Sequence, residues 1–504
     1  VDFKAQKQFD VIVVGAGNAA SCAALSAREN GATVLMLEAA PEDQKGGNSS
    51  YTGGALRFAH TGIEDIKRIC PEMVEEELKN VDFGTYTVEQ YYDDMGRLTE
   101  YRSDPDLTEL LITKSFDTVL WLRQHVGVKM HPGLGRQAFK IDGKFKFWGG
   151  LAVHITGGGR QLVDTHHRKC AEQGIPIVYE ATAHSLIRGD TGIEGVRVEH
   201  EGRMHDLRAK AVVLACGGFE ANAEMRTRYL GPNWDLAKVR GTRFNTGKGI
   251  QMALDAGAMS AGHWSGCHSV AWDINAPPFG DIDVGDKFQK HNYPYGIVVN
   301  AKGERFLDEG LDFHSYTYAR YGGELLKQPG YFAWQIFDQK ATPLLRAEYR
   351  IPRITKVEAP TIEGLVDKLA RSEDAKVDGA KLLKTIRDFN AAVRSDLPFN
   401  PNVLDGRRTE GLALNKSNWS NRLDEPPFHA YCVTTGITFT FGGLKANIEA
   451  EVESTSGKAI RGLYAAGELV GGLYYHAYAS GTGLMAGAIF GRIAGRNAAR
   501  IAKA

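Results

Sequence analysis

Residues 9–40 read FDVIVVGAGNAASCAALSARENGATVLMLEAA. No other stretch restricts the fold as tightly. Val11–Val14 is a short apolar run rich in β-branched residues, which predicts a buried parallel strand. Gly15-x-Gly17-x-x-Ala20 follows it. A small-residue helix is predicted from about Asn18 to Glu29, then a second strand over Thr33–Leu37 that ends at Glu38. Gly15 permits the tight turn, Gly17 lets a pyrophosphate reach the backbone, and Ala20 lets helix and strand pack closely. The helix start, with Asn18 and Ala19, offers N–H groups and a positive dipole end to phosphate. Glu38, followed by Ala39, is placed to take ribose hydroxyls and would repel a 2′-phosphate. The stretch therefore predicts a dinucleotide-binding βαβ unit in an α/β chain.

The totals narrow the class. A chain of 504 residues can hold two or three domains with a sizeable core. Its net charge of −1 provides no basic excess to grip a phosphate backbone, so nucleic acid is not expected as a partner. The six cysteines (Cys22, Cys70, Cys170, Cys216, Cys267 and Cys432) form no CxxC pair, which argues against zinc, cysteine-ligated iron–sulfur clusters and CxxCH haem attachment. No metal is expected. Cys22 and Cys216 read as buried thiols, and a reducing cytoplasm fits them best. The N-terminal VDFKAQKQFD lacks the apolar core of a signal peptide, and no run of 18 apolar residues predicts a membrane span.

A second pattern, Gly133-Leu-Gly135-Arg-Gln-Ala138, follows Met130-His131-Pro132 and reads as a loop. Residues 72–130 carry helical periodicity, with a helix start at Asp104–Pro105–Asp106, and Glu363–Val393 is a further amphipathic helical stretch.

FAD is favoured over NAD because glycine-rich stretches recur far apart. They are GGNSSYTGGA at 46–55, Thr156–Arg160, the strand and turn Ala211–Phe219, Gly462–Glu468 and Ser480–Leu484. A long, extended cofactor held by distant parts of the chain suits FAD. Residues 46–55 are then the loop where the cofactor lies against bare backbone. Gly47, Gly53 and Gly54 clear the space, while Asn48, Ser49 and Thr52 supply hydrogen bonds. Ala183, Ala215 and Gly217 are expected to line the same site. Glu468 would hold a hydroxyl of the ribityl–phosphate region. The helix opening at Gly483 and Leu484 would aim its N–H groups at the flavin pyrimidine edge.

GGNSSYTGGA, VLACGGF, NAKGERFLDEG and LYAAGE together resemble the fumarate reductase/succinate dehydrogenase flavoprotein family. The resemblance covers nearly the whole chain and is strongest to its FAD-dependent tricarballylate dehydrogenase subgroup, through stretches such as RGTRFNTGKGI, KHNYPYGIVVNAKGERFLDEG and GITFTFGGLKAN. It implies a Rossmann-like FAD-binding domain of the glutathione-reductase type with an inserted α+β capping domain. The expected division is 1–262 and 440–504 for the FAD domain and 263–439 for the cap. Some members attach FAD covalently to a histidine in the early loop. Residues 46–55 contain none, and Tyr51 sits near that place, so noncovalent FAD is expected. The carboxylate-binding histidine of fumarate reductases is missing from Thr438–Gly443, and their late arginine has no counterpart in His476–Met485. His314 stands near the place of their proton-donating arginine.

The resemblance implies an oxidoreductase acting on a CH–CH bond next to a carboxylate or carbonyl, with hydride exchanged at flavin N5. Such chemistry needs an acid or base, and cations or hydrogen-bond donors for the substrate oxygens. The candidates are His314 for acid/base work, His268 and His291 for substrate contact, Arg243 beside the cap, and His476 and Tyr478 before the late helix. Arg305 is either a site residue or half of an ion pair with Glu309. Arg57 is a weaker candidate, and Tyr316, Tyr318 and Tyr321 are expected to pack the cap. The substrate is a small carboxylic acid, or an enone or cyclic ketone, and electrons pass to a separate acceptor, a membrane-associated protein being one option. A flavoprotein subunit of an electron-transfer or biosynthetic complex is the remaining alternative.

Overall fold

The computed structural model describes Phe3 and residues 8–503, without the side chain of Glu77. Most of the stretch read for a signal segment therefore lies outside the described residues. The predicted βαβ unit forms as a strand Gln8–Val14, a helix Asn18–Glu29 and a strand Val34–Leu37. The first strand is central in an eight-stranded sheet. It pairs in parallel with Val34–Leu37 on one side and with Arg203–Leu214 on the other, Val11 opposite Ala211 and Val14 opposite Leu214. The strand Ala459–Ala465 then adds in parallel to Arg203–Leu214. Val11, Ile12 and Val13 are fully buried, as a strand covered on both faces requires. Each such side chain contributes about 1.5–3 kcal/mol.

A second, six-stranded sheet is built on the long strand Phe428–Leu444, which pairs with Ser260–Asp273 and Ala333–Phe337. It has its own buried cluster around Trp334, Ile336, Leu369, Leu382, Ile386 and Phe389. The helices Ile362–Ala370 and Gly379–Ala392 cover it, where the amphipathic stretch predicted them. The expected boundaries at 262/263 and 439/440 fall inside the paired strands Ser260–Asp273 and Phe428–Leu444. We keep the three-part division as a proposal.

Residues 72–130 are largely helical, and Asp104 caps the helix Pro105–Thr113 through its side chain, with Pro105 in the first turn. The loop reading of Gly133–Ala138 needs one correction. Met130–Pro132 is a short strand, but no helix follows, so the pattern is not a second cofactor turn. Cys22 is fully buried, whereas Cys216 is only half-buried because it borders a cavity. Among the described residues no helix is long and apolar enough to cross a membrane.

His166 helps to tie three helices together, Gly158–Glu172, Asn18–Glu29 and Thr482–Lys503. It lies in the helix Gly158–Glu172, and its Nε2 is 3.1 Å from Asn18 Oδ1. Asn18 in turn donates from Nδ2 to the Leu484 carbonyl at 2.8 Å. Burial pushes the His166 pKa down to about 3. The folded state therefore takes up no proton there between about pH 6.5 and 3, while the unfolded chain does. Stability falls with falling pH across that window, by about 1.4 kcal/mol per pH unit for this group. His166→Gln is expected to be less stable at pH 7.5 but to lose less between pH 6 and 4, read as urea midpoints.

Candidate functional site

A cavity of about 390 Å³ runs from the end of the strand Val34–Leu37 to the histidine-bearing part of the second sheet. At one end Glu38 is buried, and its Oε1 accepts the Ala40 N–H at 3.0 Å. Burial raises its pKa, opposed by the backbone donors around it. The helix Asn18–Glu29 opens onto the cavity with Gly17 at its N-cap, no side-chain cap and no acidic residue in the first turn. That leaves a positive helix end for an anion.

Gly15 has φ +111°, and a Cβ there would stand 2.3 Å from the Ala215 carbonyl oxygen. A Cβ on Gly17 would press on Gly46 and Ser49 at 3.2 Å. Of the expected cofactor residues, Gly15, Gly17, Asn18, Ala19, Glu38, Ala39, Gly47, Asn48, Ser49, Thr52, Gly53, Ala183, Ala215, Gly217, Glu468, Gly483 and Leu484 line this cavity. The elongated space, the bare helix end and the distal carboxylate fit a dinucleotide with an extended second half.

Several expected roles need correction. Gly54 does not line the cavity; it faces Ile155, whose N–H it accepts. Asn48 is spent within the protein. Its Nδ2 donates to Glu220 and to the Thr438 carbonyl, each at 2.7 Å, and its Oδ1 accepts the Thr242 N–H. Ser49 Oγ accepts the Asn18 N–H, and Thr52 Oγ1 accepts that of Gly54. Asn48 thus holds the loop in shape, the Ser49 and Thr52 hydroxyls brace it while each keeps an O–H to donate, and the glycines clear the space. Tyr51 is buried against Gly280, outside the cavity lining. Glu468 Oε1 accepts the Thr440 N–H at 2.8 Å, and burial together with neighbouring Glu220 raises its pKa strongly. The Gly483 N–H donates to the Tyr478 hydroxyl at 2.8 Å.

The far end of the cavity collects ionisable groups. His268, His291, His314 and Tyr478 line it as expected. Arg243 does not; it is exposed, with its guanidinium over Phe279. Arg240, three residues earlier, lines the cavity instead and binds Asp286 through Nε at 2.7 Å and Thr438 Oγ1 through Nη1 at 3.0 Å. His476 lies outside, at φ +61°, with its backbone N–H on His263 and its ring 3.7 Å from Glu100. Arg305 also lies outside, buried in an ion pair with Glu309 and bonded to the Leu414 carbonyl. Arg57 binds Asp94, Tyr86 and the Ser480 carbonyl behind the site. Tyr316 packs there on Asp94, but Tyr318, expected only to pack, lines the cavity.

Arg136, His154, Asp286, Gln289 and Arg346 complete the end wall and were missed. Arg136 sits in the 133–138 loop, where the glycine spacing gives no sign of the arginine's place. Arg346 belongs to a polar segment with no motif to distinguish it from surface charge. Three guanidiniums, Arg136, Arg240 and Arg346, thus gather with two carboxylates, Asp286 and Glu348. Burial and then Arg136 bring the Arg346 pKa down to about 10. Arg136 Nε and Arg346 Nε are both buried without a partner. His268 stacks on Tyr478 at 4.5 Å, and Tyr318 meets both His268 and His291 edge-on. Among the described residues no cluster of three or more His, Cys, Asp or Glu is placed to hold a metal ion.

The family model described as FAD binding domain matches residues 10–484. A probable fumarate reductase from Shewanella frigidimarina is 29% identical over 497 residues, covering 97% of this chain and 74% of the relative. The open conformation of a flavocytochrome c3 fumarate reductase superposes with a TM-score of 0.74 at 27% identity, covering 98% of this chain and 79% of that one. A 3-ketosteroid delta1-dehydrogenase from Sterolibacterium denitrificans, at 21% identity, shares the fold with a TM-score of 0.73 over 98% of this chain and 100% of that one.

Glu38→Ala is expected to weaken FAD retention about 10- to 100-fold, the size of a lost hydrogen bond to a charged group. The flavin-to-protein ratio after gel filtration and a flavin titration measure it.

Proposed function

Because this chain belongs to the FAD binding domain family, we propose that it is an FAD-dependent oxidoreductase acting on a CH–CH bond next to a carboxylate, with a tricarballylate-like polycarboxylate as substrate. The carrying observation is the pair Arg136 and Arg346, near enough that Arg136 lowers the Arg346 pKa, with a buried, unpartnered Nε atom on each. Unpaired donors and like charges in a buried site are costly, and a bound carboxylate relieves both. Glu348 offsets part of the charge, and the two arginines in turn hold its pKa below the usual range despite burial. A ketone would bring no negative charge to the two arginines.

FAD, held noncovalently, supplies the redox chemistry by accepting or returning the hydrogen and electrons exchanged at the C–C bond. Arg136 and Arg346 hold the carboxylate. Arg240, fixed by Asp286 and Thr438, adds positive charge beside it. Tyr478 moves the proton. Burial keeps its phenol protonated, so Oη can give a proton to the carbon beside the carboxylate and take it back in the reverse direction. The stacked His268 holds the Tyr478 ring flat, and Tyr318 and Phe439 help exclude water. Electrons pass to a separate acceptor. The six unpaired cysteines support a reducing, cytoplasmic setting.

Tyr318, Tyr478 and Phe439 form an aromatic wall that would suit an enone or cyclic ketone. Anaerobic mixing of the flavin-loaded protein with tricarballylate, succinate, citrate and cyclic ketones separates the readings. Bleaching near ~450 nm by a polycarboxylate alone is expected. Bleaching by a ketone alone would overturn the carboxylate assignment, and a flavin that no substrate bleaches would point to a subunit role. Arg136→Met is expected to raise the KM for the acid about 10- to 100-fold with flavin content unchanged.

A further inference from the structure

His314 opens the helix His314–Leu325 and is buried. Its Nε2 lies 2.6 Å from Nη2 of Arg346. A guanidinium has donors only and stays charged near neutrality, so Arg346 donates and His314 Nε2 accepts. Arg346 is itself held in place. Its backbone N–H donates to Asn292 Oδ1 at 3.0 Å, and Nη2 also donates to the Arg136 carbonyl at 2.9 Å. The His314 ring is clamped as well. It stands edge-on to Trp148 at 6.4 Å, Trp148 stacks on Phe313 at 4.9 Å, and His291 lies nearly parallel at 6.2 Å.

We infer that Arg346 is a positioning residue that fixes His314 as the neutral Nδ1–H tautomer, so that His314 serves as a hydrogen-bond donor to a substrate oxygen and not as the acid or base. The titratable and charged groups facing the ring are Arg346, Arg136, His154 and His291, and none supplies a negative charge. The nearby carboxylate, Glu348, is engaged by Arg136 at 3.1 Å and by Gln289. Burial, then Arg346 and Arg136, hold the His314 pKa well below its ordinary value. A neutral imidazole with a fixed N–H can polarise an oxygen without surrendering its proton. The identity of that oxygen rests on the carboxylate reading above; the tautomer does not.

The test is a long-range proton–nitrogen correlation spectrum of the flavin-loaded, ¹⁵N-histidine-labelled protein, with His314 assigned through His314→Gln. A pyrrole-type Nδ1 and a pyridine-type Nε2, unchanged from about pH 5.5 to 8, are expected. An Nε2–H tautomer, or a His314 that titrates in that range, overturns the inference. Arg346→Lys, which keeps a donor, is expected to retain the tautomer. Arg346→Met is expected to release it, lower kcat about 100-fold, and shift the His314 titration upward, moving any acid limb of the kcat/KM profile to higher pH. An unchanged tautomer and pH profile in folded Arg346→Met would also sink the positioning role. If no carboxylate bleaches the flavin yet the Nδ1–H spectrum is found, the substrate reading fails and the tautomer assignment stands.

Discussion

Three glycines at four-residue spacing, Gly487, Gly491 and Gly495, let the C-terminal helix Thr482–Lys503 lie directly on the helix Asn18–Glu29. A Cβ on Gly491 would stand 2.5 Å from the Ala19 carbonyl oxygen, and one on Gly495 2.0 Å from that of Ala23. Side chains at either position would force the helices apart. Everything at the cofactor end depends on this approach. It brings Gly483 and Leu484 to the cavity beside Asn18 and allows Asn18 to bond the Leu484 carbonyl. It also sets Tyr478, tied to the Gly483 N–H, in the cavity lining.

The substrate end is built on the opposite principle. Close backbone packing gives way to buried charge, with guanidiniums, carboxylates and neutral histidines drawn from segments between residues 136 and 348. Such an assembly is costly unless each group has a partner. Most do: Arg240 has Asp286, Arg136 has Glu348, and Arg346 has His314. The donors left over face a site where an anion would complete the set.

The cofactor end was largely legible in the sequence, because glycines, a βαβ period and a terminal acid report on local backbone needs. Even there, the sequence could not tell which polar groups face the cofactor and which face the protein. Asn48 reads as a cofactor donor but is saturated by Glu220, Thr438 and Thr242. The substrate end was half legible. His268, His291 and His314 stand out as histidines in otherwise apolar or aromatic stretches. Arg243 and Arg240 look alike in sequence, and only the path of the chain past Phe279 and Asp286 sends one to solvent and the other inward.

The sequence by itself determined the parallel strand, the phosphate-ready turn, the FAD-type spread of glycine stretches and the placing of most helices. These follow from periodicity and from the few conformations that glycine, proline and capping residues allow. Only the tertiary structure decided which arginines meet at the site, that Arg305 and His476 stay outside it, and that His314 is paired with Arg346. Long charged side chains carry no local signature of their partners. Their roles are set by contacts across 32 to 210 residues of chain, as in the bonds of Arg346 to His314 and to Arg136, and those contacts exist only in the folded chain.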